Sequence, residues 1–330
     1  MKILVVSGFL GAGKTTFIKE LIRKTGENLV IMENEFGETN LDSRELAKTS
    51  ELEILEFMEG CVCCTMKDSF VNSILTVSAS LDPKYLVVEP TGVGMLGSIL
   101  ENVQKVCYEK ISLLKPVVVL TPRSFLANLR DYPDIYLDQI KNAAVIVFSK
   151  AENEMPEIID DTTARIREIN PYAEIVQDHY SGRDISWWTG LLRDENDREA
   201  VTDALDDVDL DEVSIRSGHL DSVSELIVLL DDILHGDFGK IIRAKGILMA
   251  GNEAIRFDLA DGLYGIIGEN SEDAQTQCVF IGSELRTDLL FNRLHTSRES
   301  EDHEHEGHHH HHGHGNGGHH HHHEHEHLIM

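Results

Sequence analysis

Runs of consecutive apolar residues recur along the first half of the chain. They alternate with stretches whose apolar positions lie three and four apart. Ile3-Leu4-Val5-Val6, Leu29-Val30-Ile31-Met32, Tyr85-Leu86-Val87-Val88, Val117-Val118-Val119-Leu120 and Val145-Ile146-Val147-Phe148 have the unbroken apolar character of strands buried on both faces. Between the first two runs, Phe17, Ile18, Leu21 and Ile22 sit at helical spacing. Phe70, Val71, Ile74, Leu75, Val77 and Leu81 repeat that spacing before Pro83, and residues 157–169 read as a helix ahead of a short strand at Glu174-Ile175-Val176. Residues 52–57 alternate apolar with acidic, as a half-exposed strand does. Five or more βα units in succession predict an α/β fold, a mostly parallel sheet with helices on both faces.

The pattern then changes. It loosens from Asp178 to about Glu212, and residues 194–211 are dense in acids, so 181–212 reads as an acidic linker with Trp187 and Trp188 as packing residues. From Val213 the chain carries an amphipathic helix (Val223, Leu226, Ile227, Leu229, Leu230, Ile233, Leu234). Two strands, residues 243–249 and 254–259, flank Gly251-Asn252, and a strand at 278–281 and a helix near 285–294 follow. This predicts a smaller α+β C-terminal domain. After about Ser297, 15 of the 19 histidines fall between His303 and His327, among Gly and Glu, where no core can form. The expected organisation is therefore 1–180, a nucleotide-binding domain; 181–212, the linker; 213–296, the α+β domain; and 297–330, a disordered His-rich tail.

Composition narrows the function. A formal net charge of −29 over 330 residues argues against nucleic acid or an anionic membrane as partner. The chain enters a core strand at residue 3 with no signal pattern, and no apolar run reaches the length of a membrane span. Five cysteines, three of them within four residues, do not form a disulfide framework; a reducing cytoplasm is expected.

The candidate chemistry begins at Gly8-Phe9-Leu10-Gly11-Ala12-Gly13-Lys14-Thr15-Thr16, which fits G-x-x-x-x-G-K-[ST] between a predicted strand and a predicted helix. In such a loop Gly8, Gly11, Ala12, Gly13 and Thr16 supply backbone N–H groups to phosphate oxygens, Lys14 reaches the β- and γ-phosphates, and Thr15 holds Mg²⁺. Glu89-Pro90-Thr91-Gly92 closes a later strand in the manner of a second phosphate-sensing segment, with Glu89 meeting the Mg²⁺ shell and the Gly92 N–H sensing the γ-phosphate. Lys14, Thr15 and Glu89 are thus the catalytic candidates. Ser149-Lys150-Ala151-Glu152 stands where G proteins carry Asn/Thr-Lys-x-Asp, so Ser149, Lys150 and Glu152 are candidates for holding the base. The carboxylate of Glu152 sits one methylene farther out than the usual Asp, which leaves GTP against ATP open. No arginine finger is identifiable from the sequence, so hydrolysis without a partner is expected to be slow.

Metal-ligand chemistry clusters in three places. Cys61, Cys63 and Cys64 offer soft thiolates to Zn²⁺ or another thiophilic ion; buried small hydrophobes and a redox couple are the other readings. Glu33, Glu35 and Glu38 are three carboxylates at a strand end, where they can reach Mg²⁺ or a second metal or form a solvated acidic loop. In the tail, His308, His309, His310, His311, His312, His319, His320, His321, His322 and His323 suit Zn²⁺, Ni²⁺, Co²⁺ or Cu²⁺. The alternation with Glu and Gly distinguishes this segment from a uniform purification tag.

Together, the phosphate loop, Glu33-Asn34-Glu35-Phe36-Gly37-Glu38, Gly60-Cys61-Val62-Cys63-Cys64, Glu89-Pro90-Thr91-Gly92 and Ile169-Asn170-Pro171-Tyr172-Ala173 resemble the CobW-type P-loop GTPases, related to HypB and UreG. Arg243-Ala244-Lys245-Gly246 and Phe280-Ile281-Gly282 are similar to that family's C-terminal domain. Thr121-Pro122 departs from the Asp-Ala pair common there. The resemblance implies GTP hydrolysis with Mg²⁺, metal at Cys61, Cys63 and Cys64 with Glu33 and Glu38 as additional ligands, and delivery of zinc (or cobalt or nickel) to a client metalloprotein. A nucleotide- or metal-dependent dimer is an open expectation. The alternatives are a metal-buffering protein with a regulatory nucleotide site and an ATP-dependent cofactor-synthesis subunit.

Overall fold

The computed structural model describes residues 1–33, 54–56, 67–202, 210–269 and 276–294. Cys61, Cys63, Cys64, Glu38 and the tail histidines lie outside them. The first sheet is parallel throughout. Its order is β3 (Ile54–Glu56), β2 (Val30–Glu33), β4 (Tyr85–Glu89), β1 (Lys2–Ser7), β6 (Val117–Leu120), β7 (Val145–Phe148) and β8 (Glu174–Val176), with β5 (Ser112–Leu113) also on β1. The apolar runs are the strands because a parallel sheet covered on both faces leaves no strand position in water. Along β1, Ile3 and Val5 join one core while Leu4 and Val6 join the other.

Helices α2 (Lys67–Ser80), α3 (Leu96–Gln104), α4 (Phe125–Asp131), α5 (Pro133–Asn142) and α6 (Pro156–Ile169) cover the first face. The second is covered by α1 (Lys14–Thr25) and α7 (Ile185–Leu191). Phe17 of α1 packs on Trp188 and Tyr180, with ring centroids 5.3 and 5.1 Å apart. Beyond α1, Gly26 takes the left-handed conformation and its N–H closes on Ile22 O at 2.8 Å.

Residues 181–202, the greater part of the stretch read as a linker, run along this first layer system. Trp188 is fully buried, Asn196 N–H donates to Leu113 O at 2.9 Å, and Val201 N–H donates to Asn142 Oδ1 at 2.8 Å. The acids of the segment stay out of the core, as do Ile185 and Val201, while Trp188, Leu191 and Leu192 fill it.

The second sheet is ordered β13 (Leu263–Gly268), β12 (Glu253–Ala260), β11 (Lys240–Ala250), β14 (Gln277–Ser283) and β9 (Asp211–Arg216), all antiparallel neighbours, with β10 (His219–Leu220) parallel to β11. Strand alternation separates its faces. Ala244, Leu248, Phe257, Leu259, Cys278 and Phe280 pack under α8 (Val223–His235) and α9 (Thr287–Arg293), whereas Val279 and Ile281 join the core of the first sheet. Both sheets belong to one compact unit, residues 1–297. Among the described residues no helix is long and apolar enough to cross a membrane.

Candidate nucleotide and metal site

The first sheet changes winding direction at β1, with β4, β2 and β3 to one side and β6, β7 and β8 to the other. The crevice at the carboxyl ends of strands flanking such a reversal is where ligands bind open α/β sheets. There the chain leaves β1 and turns through Gly8–Gly13 into α1. A Cβ on Gly8, at φ +144°, would collide with the Val119 carbonyl, so only glycine lets the loop lie against β6. Gly13, at φ +93°, precedes α1 and caps it with no side chain, which leaves first-turn N–H groups to an anionic ligand.

Lys14 is buried, and its Nζ reaches back over the loop to donate to Gly8 O at 3.1 Å. Thr15 Oγ1 donates to Glu89 Oε1 at 3.0 Å, with Oε2 at 3.3 Å. The three catalytic candidates are therefore brought together. A Cβ on Gly92 would lie 2.5 Å from Leu10 N, so the turn after β4 rests on the phosphate-loop backbone. That turn is held by Gln139, buried in α5, whose Nε2 donates to the Gly92 and Gly94 carbonyls at 3.2 and 3.3 Å. A lone Gln inside an amphipathic helix carries no sequence signal for this role.

The phosphate end is a cleft of about 420 Å³ lined by Gly11, Gly13, Lys14, Thr15, Thr16, Glu33, Glu89 and Gly92, and from the second sheet by Arg243, Asp258 and Ala260. The Thr15 hydroxyl and the Glu89 carboxylate are hard oxygen donors beside a buried lysine, a donor set that fits Mg²⁺. Glu33, nearly buried, is level with Glu89 and with Glu56 in the sheet register. Among the described residues no group of three or more His, Cys, Asp or Glu is assembled in metal-holding geometry.

A second cavity opens beside it, about 630 Å³ lined by Gly13, Thr16, Ser149, Lys150, Glu152, His179, Tyr180 and Leu263, the candidates for holding the base among them. Ser149 Oγ donates to Ala12 O at 2.5 Å and lies 3.3 Å from Thr121 Oγ1, fastening the strand-end loop to the phosphate loop. Lys150, at φ +53°, pairs with Asp261, and Glu152 Oε1 lies 2.8 Å from His179 Nε2. Tyr180 stacks on His179 with centroids 4.9 Å apart. Burial, reinforced by the charges of Glu152 and Glu20, pushes its phenol up to about 12, so it is a neutral aromatic wall at physiological pH.

Arg243 and Asp261 are the residues that sequence reasoning missed. Arg243 reaches the cleft from the second sheet, and Asp261, in the turn after β12, bonds to Lys150 and Thr121 beside it, both more than a hundred residues beyond the phosphate loop.

A CobW/HypB/UreG nucleotide-binding domain model matches residues 2–177. The zinc chaperone YeiR of Escherichia coli K12 is 33% identical over 156 residues, 46% of this chain and 47% of that protein. The zinc-regulated GTPase metalloprotein activator 1 of Dictyostelium discoideum is 24% identical over 217 residues, 54% and 45% of the two chains. The zinc chaperone YjiA of Escherichia coli K12 is 24% identical over 305 residues, 86% and 94%. The match thus spans about half the length of YeiR and of the Dictyostelium protein and nearly all of YjiA.

Proposed function

The chain belongs to the CobW/HypB/UreG family, and on that premise we propose that it is a GTP-hydrolysing metallochaperone that carries zinc to a client metalloprotein under nucleotide control. The observation that carries this reading is the register of β2, β3 and β4. It puts Glu33, Glu56 and Glu89 level on three adjacent strands, of which Glu33 and Glu89 line the phosphate cleft, and Cys61 follows Glu56 by only five residues. The thiols are therefore tethered to the strand end beside the one that carries Glu33 and its wall of the cleft. A change at the γ-phosphate can alter their geometry over a short length of chain. The relatives named zinc chaperone, and the one named zinc-regulated GTPase metalloprotein activator, support zinc as cargo and a metalloprotein as client.

In this reading Lys14 and the loop N–H groups hold the β- and γ-phosphates, and Lys150 and Glu152 face the base. Thr15 and Glu89 would hold Mg²⁺, which neutralises phosphate charge when bound. Cys61, Cys63 and Cys64, with Glu33 and Glu38, take the cargo, and the tail histidines raise its local concentration.

The test is Zn²⁺ affinity of the full chain with GDP and with a non-hydrolysable GTP analogue, repeated on a Cys61→Ser, Cys63→Ser, Cys64→Ser variant. The expected result is at least a tenfold difference between nucleotides, about 1.4 kcal/mol of coupling, that disappears in the variant. Equal affinities in the two nucleotide states overturn nucleotide control. A variant that binds all its zinc as tightly as the wild type makes the protein a histidine-based buffer.

A further inference from the structure

We propose that Arg243 is an arginine finger supplied in cis by the second sheet, its guanidinium binding the γ-phosphoryl oxygens as GTP is hydrolysed; the inference rests on the GTPase reading above. Four observations carry it. Arg243 lines the cleft together with Lys14, Thr15, Glu89 and Gly92. Its Nη1 would lie 3.5 Å from a Cβ on Gly11, so the guanidinium rests on the phosphate loop itself. Its side chain is only 12% exposed, and Asp258 Oδ2 holds Nη2 at 3.2 Å. The register of β11 against β14 shifts between Ile241 and Arg243, an irregularity of the kind that re-aims a side chain beside a site.

The alternation of β11 explains why the residue points inward. Ala244 faces α8 and α9, so Arg243 faces the first sheet, beside its cross-strand partner Ala260. Asp258 is two residues from Ala260 on the same face and orients the fork. In a chain with formal charge −29, a cation enclosed beside the phosphate loop has a specific electrostatic use.

In the reaction, a water oxygen attacks the γ-phosphorus and the bond from that phosphorus to the β–γ bridging oxygen breaks. The electron pair stays on the bridging oxygen of GDP, and the water's two protons leave on inorganic phosphate, which gives one up to solvent. Arg243 neither gains nor loses a proton. It donates N–H bonds to oxygens whose charge rises in the transition state, and arginine is suited to this because its planar fork is permanently charged.

The experiment uses the full chain and its Arg243→Ala and Arg243→Lys variants. Single-turnover GTP hydrolysis, GDP affinity, and formation of the GDP–aluminium fluoride complex are measured for each. Arg243→Ala should slow hydrolysis by about 100-fold or more and abolish the fluoride complex, with GDP affinity within about threefold of wild type. Arg243→Lys keeps a cation and the packing of the stem but loses the fork, and should remain at least about tenfold slow. It serves as the deciding variant if the alanine protein does not fold. A purely structural clamp with Asp258 would weaken GDP binding and hydrolysis together and leave the fluoride complex formed by whatever protein folds. That outcome, or hydrolysis by the lysine variant within about twofold of wild type, overturns the proposal. A wild-type chain that neither binds nor hydrolyses GTP overturns the GTPase reading as well, which separates the two failures.

Discussion

Lys150 Nζ lies 2.9 Å from Asp261 Oδ2, and this contact ties the loop that ends β7 to the β12–β13 hairpin of the other sheet. Asp261 also accepts from Thr121 Oγ1 at 3.3 Å and from Ser124 Oγ at 3.0 Å. It occupies the first position of a tight Asp261-Gly262 turn, both residues left-handed at φ +54° and +70°. The hairpin tip thereby delivers a carboxylate beside Thr121. Lys150 is partly exposed, so its charge contributes less than the two hydroxyl bonds made by an almost buried carboxylate.

Removing that carboxylate should loosen the hairpin. Asp261→Ala leaves the Thr121 and Ser124 hydroxyls without this acceptor and should cost about 1–3 kcal/mol, seen as a melting temperature lower by several degrees. Asp261→Asn keeps an acceptor and the turn preference, and should fall by less. Thermal unfolding of the three proteins checks this; an alanine variant as stable as wild type would mean the hairpin is held by other contacts.

Base selectivity should run through Glu152. Its carboxylate now pairs with His179 at 2.8 Å, and both line the cavity beside the phosphate cleft. If the carboxylate accepts from guanine, Glu152→Ala should weaken GDP binding about tenfold or more, the loss of hydrogen bonds to a charged group, while ADP binding stays as it was. Titration calorimetry with both nucleotides measures the ratio. Equal losses for GDP and ADP would assign Glu152 to His179 and not to the base.

How much of this site could be read from the sequence depended on whether its parts are local. The phosphate loop, Glu89 and Gly92 sit at strand ends, and the strands declare themselves because a doubly covered parallel sheet demands unbroken apolar runs. Asp261 has no such local mark, and the motif Arg243-Ala244-Lys245-Gly246 gives Arg243 no place in the site. Arg243 is one cation in an ordinary-looking strand, and only the pairing of β11 with β12 and β14 turns it toward Gly11. Trp188 was recognisable as a packing residue, yet the acids around it made residues 181–202 read as a linker, because net composition does not reveal which few side chains face inward. Gln139 is invisible for the same reason as Arg243. Its role is set by the turn it happens to meet.

Thiol chemistry should single out the cysteine cluster. Burial pushes the Cys278 thiol up strongly, and it donates to Ile247 O in a fully buried site. Cys107 is half-buried and also raised, chiefly by burial. The thiolate is the nucleophile, so both should react slowly at neutral pH while the protein is folded. A disulfide-exchange reagent is expected to modify three thiols fast, at Cys61, Cys63 and Cys64, and zinc added first should protect those three. The count is read from the burst amplitude in wild type and in the triple serine variant. A burst that survives all three substitutions would place the reactive thiols at Cys107 or Cys278.

The contact between Gly11 and Ala260 makes the coupling of the two sheets testable. A Cβ on Gly11 would run into the Ala260 methyl, and the same strand pairing that seats Ala260 seats Arg243. Gly11→Ala should therefore carry two penalties. One is the left-handed backbone at φ +76°, about 1–2 kcal/mol for a residue with a Cβ. The other is displacement of β12 and β11 from the phosphate loop, which moves the guanidinium away from the γ-phosphate position. Ala260→Gly alone should cost about 0.5–1 kcal/mol, the price of glycine inside a strand. In the double variant the steric penalty is gone and only the backbone one remains. Its stability loss should then be smaller than the sum of the single losses by about 0.5–3 kcal/mol, the range seen for residues in contact. Single-turnover GTP hydrolysis should fall in Gly11→Ala and recover in part in the double variant. Urea denaturation of the four proteins gives the first quantity and rapid-quench assays the second. Additive stabilities together with no recovery of the rate would show that the second sheet does not act on the phosphate loop through this contact.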